Sequence, residues 1–234
     1  MVTLEIMQFV EQNILPRYTQ FDRAHSLRHV NDVITASLKL ARRLGADPDM
    51  AYVVAAYHDL GMEGPRAIHH ITGGRILAAD RRLARWFTPE QISIMREAVE
   101  DHRASASKAP RSIYGRIVAE ADRQLLPDTV MRRTIEYGID HYPQLSVEEH
   151  LERFIRHIEE KYSEHGYIRL WISGSDNERH LQHLRHIINT PHLLKQHFYR
   201  IWGEIRQDRH DGQDNVTTPT ISDKHKNEKM RNEK

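Results

Sequence analysis

"MAYVVAAYHDLG", residues 50–61, decides how this chain reads. Met50, Val53, Val54 and Tyr57 recur at helical spacing and give one apolar face. Pro48, just before them, suits a first helical position, and Gly61 suits the end of the helix. The run "MAYVVAAY" at 50–57 is the longest apolar stretch in the chain, yet it is far short of the ~20 residues needed to span a bilayer. It therefore reads as a buried helix of a soluble protein. That helix ends on His58 and Asp59. A charged pair at the edge of a core is costly without a partner, and a metal ion would offset the cost.

Composition narrows the alternatives. The chain of 234 residues fits one domain with an appendage, or two small ones. Its formal net charge is +1, which gives no bulk electrostatic reason to expect nucleic acid or an anionic membrane as partner. There is no cysteine, so disulfides, thiolate catalysis and Cys-based zinc sites are excluded, and any metal must take His, Asp, Glu or water. "MVTLEIMQFV" has no basic stretch ahead of an apolar one, so it does not read as a signal peptide, and a cytoplasmic location is expected. With 17 histidines, about one His-Asp pair is expected by chance, so the dipeptide alone decides nothing.

Outward from that helix the pattern stays helical, and no stretch reads convincingly as a strand. Val30, Val33, Ile34, Leu38, Ala41 and Leu44 form an apolar stripe closed by Gly45. Residues 66–85 read as one helix, weakened by Gly73-Gly74. "TPEQ" at 88–91 is a capping box with Pro at the first position, opening a helix to about His102. Further helices are expected over 111–125 and 128–139. "SVEE" at 146–149 repeats the capping signature and opens a helix to about Ser163. Residues 175–189 and a segment opened by Thr190-Pro191 complete the set. The expected fold is an all-α helical bundle: a core over 1–130, accessory helices packed on it over 131–205, and a disordered, almost wholly polar tail over 206–234.

The polar residues on these helices form a set. His25 and His29, four apart, share one face about 6 Å apart along the axis if the helix includes both. His58 and Asp59 end the next helix, His69 and His70 begin the third, His102 ends the fourth, and Asp122 lies in "IVAEADR". Helical bundles build metal sites this way, from side chains on facing helices.

The order His29, His58-Asp59, Asp122 resembles the HD-domain superfamily of metal-dependent phosphohydrolases. "HVNDV", "AAYHDLG" and "AEADR" carry the resemblance, which covers roughly residues 20–130. "HHITGGRIL" at 69–77 resembles a family segment in which a His precedes a Gly by four residues, which puts His69 in register rather than His70. "AVEDHRASASKAPRSIYGRIVAEADR" resembles the family's stretch from a further His to the final Asp. The resemblance implies an HD-like bundle and a metal site of His29, His58, Asp59 and Asp122, extended to a second ion by His69 and His102. One or two divalent ions (Mn, Fe, Zn, Co or Mg) are expected, with Asp59 bridging if there are two. The donor types suit such ions in their own right. Paired ions about 3.5–4 Å apart can polarise a phosphoryl oxygen and supply an attacking hydroxide. Distant relatives with a similar His-x-x-x-His arrangement make His25 the candidate proton donor.

Among the arginines, Arg123 stands next to Asp122 and is the candidate phosphate contact. Glu63 and Glu120 read as exposed. His180, His183 and His186, set among charged residues, do not read as a second site. The implied activity is hydrolysis of a phosphate ester or anhydride in a small phosphorylated molecule, a nucleotide by preference. "HDLGMEG" lacks the acidic pair of the guanosine tetraphosphate hydrolases, and no "GYP" follows His102 as in the cyclic dinucleotide branch. Residues 131–205 would cap the pocket or form a homodimer contact. Two rival readings are a non-catalytic nucleotide-binding regulator and a di-iron oxygenase on the same fold.

Overall fold

The computed structural model describes residues 1–22, 25–105 and 108–214. Among them there are ten α-helices and no strand, as the periodicity predicts. The first unit contains α1 (Leu4–Asn13), α2 (Leu27–Leu44), α3 (Pro48–Tyr57), α4 (His69–Ala79), α5 (Pro89–Asp101) and α6 (Ile113–Asp122). The second contains α7 (Pro127–His141), α8 (Val147–Tyr162), α9 (Asp176–Ile188) and α10 (Pro191–Asp214). None of these helices is long and apolar enough to cross a membrane.

Local chemistry sets the ends of these helices. Both capping boxes form: Thr88 with Gln91, and Ser146 with Glu149. Gly45, at φ +66°, closes α2 in the left-handed region that a residue with a Cβ rarely adopts. Three expectations need correction. The helix expected over 66–85 is broken: a 3₁₀ turn at Arg66–Ile68 precedes α4, and Asp80 ends it by capping a second turn over Arg81–Arg85. Helix α3 stops at Tyr57 rather than Gly61, and Leu60–Glu63 form a 3₁₀ turn. The last helix does not fade at 206 but continues to Asp214, while 215–234 lie outside the described residues.

The glycines expected to weaken α4 allow it to pack closely instead. A methyl group on Gly73 would lie 3.1 Å from the His58 carbonyl oxygen, and one on Gly74 would lie 2.7 Å from Cγ of Glu100 on α5. Gly61 is tighter still, since its Cβ would fall 1.8 Å from the carbonyl oxygen of His69. Small residues here let the end of α3 and the start of α4 come together backbone to backbone.

Each unit buries its own apolar cluster. In the first, α3 is buried on every side: Val53, Val54, Ala55, Ala56 and Tyr57 are at most 1% exposed. In the second, Phe154 of α8 and Phe198 of α10 meet as a tilted pair with ring centres 5.3 Å apart. The clusters divide between Ala121 and Leu125. The segment before α9 docks the second unit on the first. Ile172 packs with Ala41, Ala51 and Ile117, while Arg43 donates to the carbonyls of Ser173 and Gly174.

Glu120 anchors this junction. Expected to be exposed, it is 1% exposed. Its carboxylate accepts from the Ser175 hydroxyl at 2.6 Å and the Trp171 amide at 3.1 Å, and its backbone carbonyl accepts from Asn177 at 2.7 Å. A buried carboxylate is tolerable only when its lone pairs are satisfied, and α9's N-terminal region satisfies these. Glu120→Ala should therefore lower stability by about 2–4 kcal/mol, because Ser175 and Trp171 lose a charged acceptor. Urea unfolding measures this directly. A change below about 0.5 kcal/mol, the range of an ordinary surface substitution, would show that Glu120 does not hold the junction.

Candidate metal centre

Helices α2 to α6 direct their polar ends into one buried cluster. Ser26 caps α2 by accepting from the His29 amide, so His29 sits in the first turn with its ring turned inward. His58 caps the C-terminus of α3 and is fully buried, and Asp59 beside it is 3% exposed. Asp59 takes φ −104° and ψ 5°, which ends the α-helical run and leads into the 3₁₀ turn at Leu60–Glu63. His69 starts α4, His102 caps α5, and Asp122 is the last residue of α6.

The two oxygens of Asp59 face different partners. Oδ2 lies 3.1 Å from His58 Nε2 and 3.6 Å from His29 Nε2, and His29 Nε2 is also 3.1 Å from Asp122 Oδ1. Oδ1 lies 3.6 Å from His69 Nε2 and 3.6 Å from His102 Nε2. Two groups of potential ligand atoms result, one of His29, His58 and Asp59, the other of Asp59, His69 and His102. Asp59 belongs to both.

Hydrogen bonds on the far side of the rings decide what the near side offers. Nδ1 of His58 lies 2.7 Å from the Ala55 carbonyl, Nδ1 of His69 2.8 Å from that of Arg66, and Nδ1 of His102 2.6 Å from that of Val99. A carbonyl only accepts, so each Nδ1 carries the hydrogen. In the neutral ring Nε2 is then a lone pair aimed at Asp59. Nε2 of His58 is buried with no hydrogen-bond partner, and Nε2 of His69 and His102 face one another at 3.1 Å. Lone pairs this close to each other and to a carboxylate repel unless a cation lies among them. The donor set therefore fits divalent metal, and the carbonyls supply the outer support that fixes the imidazoles of metal sites.

The proton affinities point the same way. Burial would raise the Asp59 carboxyl, but His58, His102 and His29 hold it well below the usual carboxylate range. Asp122 is likewise held low, chiefly by His29 and His58 against burial. Burial disfavours charge on His29, yet Asp122 and Asp59 outweigh it and raise the ring to about 9. Burial and the neighbouring His102 push His69 down to about 4. The two carboxylates thus recruit positive charge, and without metal a proton on His29 provides it.

Other expected residues fall as follows. His25 is not on α2: it precedes the Ser26 cap, so the shared helix face does not exist. It still reaches the cluster, with its ring centre 6.4 Å from that of His29 and 6.5 Å from that of His69. Asp22 Oδ1 holds its Nδ1 at 2.7 Å, and Arg66 pairs with the same carboxylate through Oδ2. Between the two histidines that open α4, His69 and not His70 meets Asp59. Arg123 is 5% exposed and donates to the Ala119 carbonyl. Glu63 lies away from the cluster in a two-bond pair with Arg17.

One contributor escaped the sequence reading. Tyr18, 1% exposed in the 3₁₀ turn Leu15–Gln20, donates to the Ala56 carbonyl at 2.9 Å and accepts from the Asp59 amide at 3.4 Å. Its hydroxyl pins the bend that presents Asp59. No motif marks it.

The HD domain family model matches residues 26–124. Residues 26–124 are thus similar to the HD domain. The crystal structure of a predicted HD superfamily hydrolase from an uncultured Thermotogales bacterium is similar at 22% identity, over 65% of this chain and 91% of that one, with a TM-score of 0.45. No curated protein matches the chain. The matched span of the HD domain begins at the cap of α2 and ends just after Asp122, so it encloses both ligand groups.

Two outcomes test this geometry. Tyr18→Phe leaves the Ala56 carbonyl and Asp59 amide without their buried partner, a loss of about 1–3 kcal/mol in urea unfolding, and should weaken manganese binding. Unchanged stability and affinity would show that Tyr18 does not support Asp59. Metal must also displace the proton of His29, so its affinity should rise with pH up to about 9. Calorimetric titration at pH 7.5, in buffers of different ionisation enthalpy, should count about one proton released per chain; no release would contradict the arrangement.

Proposed function

We propose that this HD domain is a metal-dependent phosphohydrolase that cleaves a phosphate ester or anhydride of a small molecule, with nucleotides the first class to examine. The observation that carries the reading is the division of Asp59: one oxygen toward His29 and His58, the other toward His69 and His102. His29, His58, Asp59 and Asp122 would hold one ion, and Asp59, His69 and His102 a second. Manganese, iron, zinc, cobalt and magnesium all suit some part of this donor set, with the imidazoles favouring the transition metals. Divalent ions held there would polarise a phosphoryl oxygen and make water nucleophilic near neutral pH.

The protein's own groups supply the rest. Asp22 fixes the hydrogen of His25 on Nδ1, which leaves Nε2 to carry and deliver the proton needed by the leaving oxygen. Arg123 offers a guanidinium at the cavity beside Asp122, a group suited to a phosphate oxygen. Partial burial of the cluster strengthens each of these electrostatic contacts.

The test is metal-dependent release of phosphate or nucleoside monophosphate from a panel of nucleotides, using protein purified without a histidine tag. Asp59→Ala removes the shared ligand and should abolish both metal retention and turnover. His183→Ala, on the exposed side of α9, should change neither. Full turnover by the Asp59 variant would refute the assignment.

A further inference from the structure

A cavity of about 110 Å³ opens beside Asp122, between the end of the HD domain and the second helical unit. Asp122, Arg123 and Gln124 form one wall, Arg133 of α7 another, and Lys161 and Tyr162 of α8 a third. It therefore adjoins the metal centre, yet two of its cations come from helices outside the family match.

Several cations elsewhere on the second unit are held by carboxylates. Arg132 pairs with Glu204, Arg200 with Asp128 and Glu204, and Arg209 with Asp140. Around the cavity no carboxylate of the described residues is in ion-pair contact with Arg123, Arg133 or Lys161. Arg133 donates to the neutral Gln124 oxygen at 2.7 Å. Lys161 rests 5.2 Å over the ring of Tyr162. Arg123 is 5% exposed, and its buried Nε has no partner at all. An arginine buried without an ion-pair partner is expensive. Tyr162 is buried and lines the same cavity as Arg133 and Asp122. Guanidiniums, an ammonium and a phenol around a small cavity are donors for a tetrahedral oxyanion. The volume suits one such group and leaves no room for a nucleoside.

We infer that Arg123, Arg133, Lys161 and Tyr162 form a phosphate subsite, which holds a second, non-scissile phosphate of the substrate while the scissile one lies at the metal centre. The second helical unit then sets substrate choice: it selects small molecules with two phosphoryl groups over simple monoesters. The link to turnover rests on the phosphohydrolase reading; the subsite itself does not.

Inorganic phosphate is the probe, titrated by calorimetry into full-length protein stripped of metal with chelator and dialysed. The stripped protein should bind phosphate. The double variant R133Q/K161Q should weaken that binding at least tenfold, with manganese content after loading and the unfolding midpoint unchanged. Arg133 is exposed and Lys161 half-exposed, so neither change threatens the core. R133K should retain most of the affinity. Equal affinity in wild type and double variant would overturn the subsite, as would phosphate binding that appears only after metal is loaded. Asp59→Ala separates the two claims. If it keeps its metal while R133Q/K161Q loses phosphate, the phosphohydrolase reading fails and the subsite stands. If it loses metal while R133Q/K161Q binds phosphate normally, the subsite fails alone.

Discussion

The carboxylate of Asp59 is the constraint around which this fold is arranged. It is nearly fully buried at the exit of a helix that is itself core on every side. Alone, a buried carboxylate would be neutralised by protonation or would destabilise the bundle. Here the helix ends converge on it, and His58, His69 and His102 each tie the remote ring nitrogen to a nearby backbone carbonyl. The apolar helix α3 places the charge, the glycines bring α4 against it, and the Tyr18 hydroxyl holds the bend. Packing and chemistry are thus the same requirement: a chain that buries this charge must also surround it with ligands.

Much of this was legible in the residues. Helical period and capping boxes gave the element types, because an amphipathic stripe and a Ser/Thr with Gln/Glu three residues on are local signals. His29, His58, Asp59, His69, His102 and Asp122 could be named because they fall at helix ends in a recognisable order. Their convergence on separate oxygens of Asp59 could not be read, since it depends on tertiary approach. Gly61, Gly73 and Gly74 show the limit well: in sequence they look like stops or weak points, and in space they allow backbones to touch.

The misses share a cause. Glu120 looked exposed because a helical glutamate usually is; its partners Ser175 and Trp171 lie more than fifty positions away. Tyr18 follows a proline in an unremarkable turn. His25 would share a face with His29 only on a helix that included both, and the helix begins only after Ser26. Arg133 and Lys161 look like solvated charges on amphipathic helices, and only their meeting at one cavity beside Asp122 sets them apart.

Function in this account belongs to the junction of two units. The segment that matches the HD domain brings together the candidate ligands, and the second unit contributes Arg133 and Lys161 to the cavity beside Asp122. The most direct test is a crystal structure of the manganese-loaded chain with anomalous scattering. The account predicts two peaks, one on each side of the Asp59 carboxylate, the first among His29, His58 and Asp122 and the second between His69 and His102. A single peak, or density away from Asp59, would contradict it.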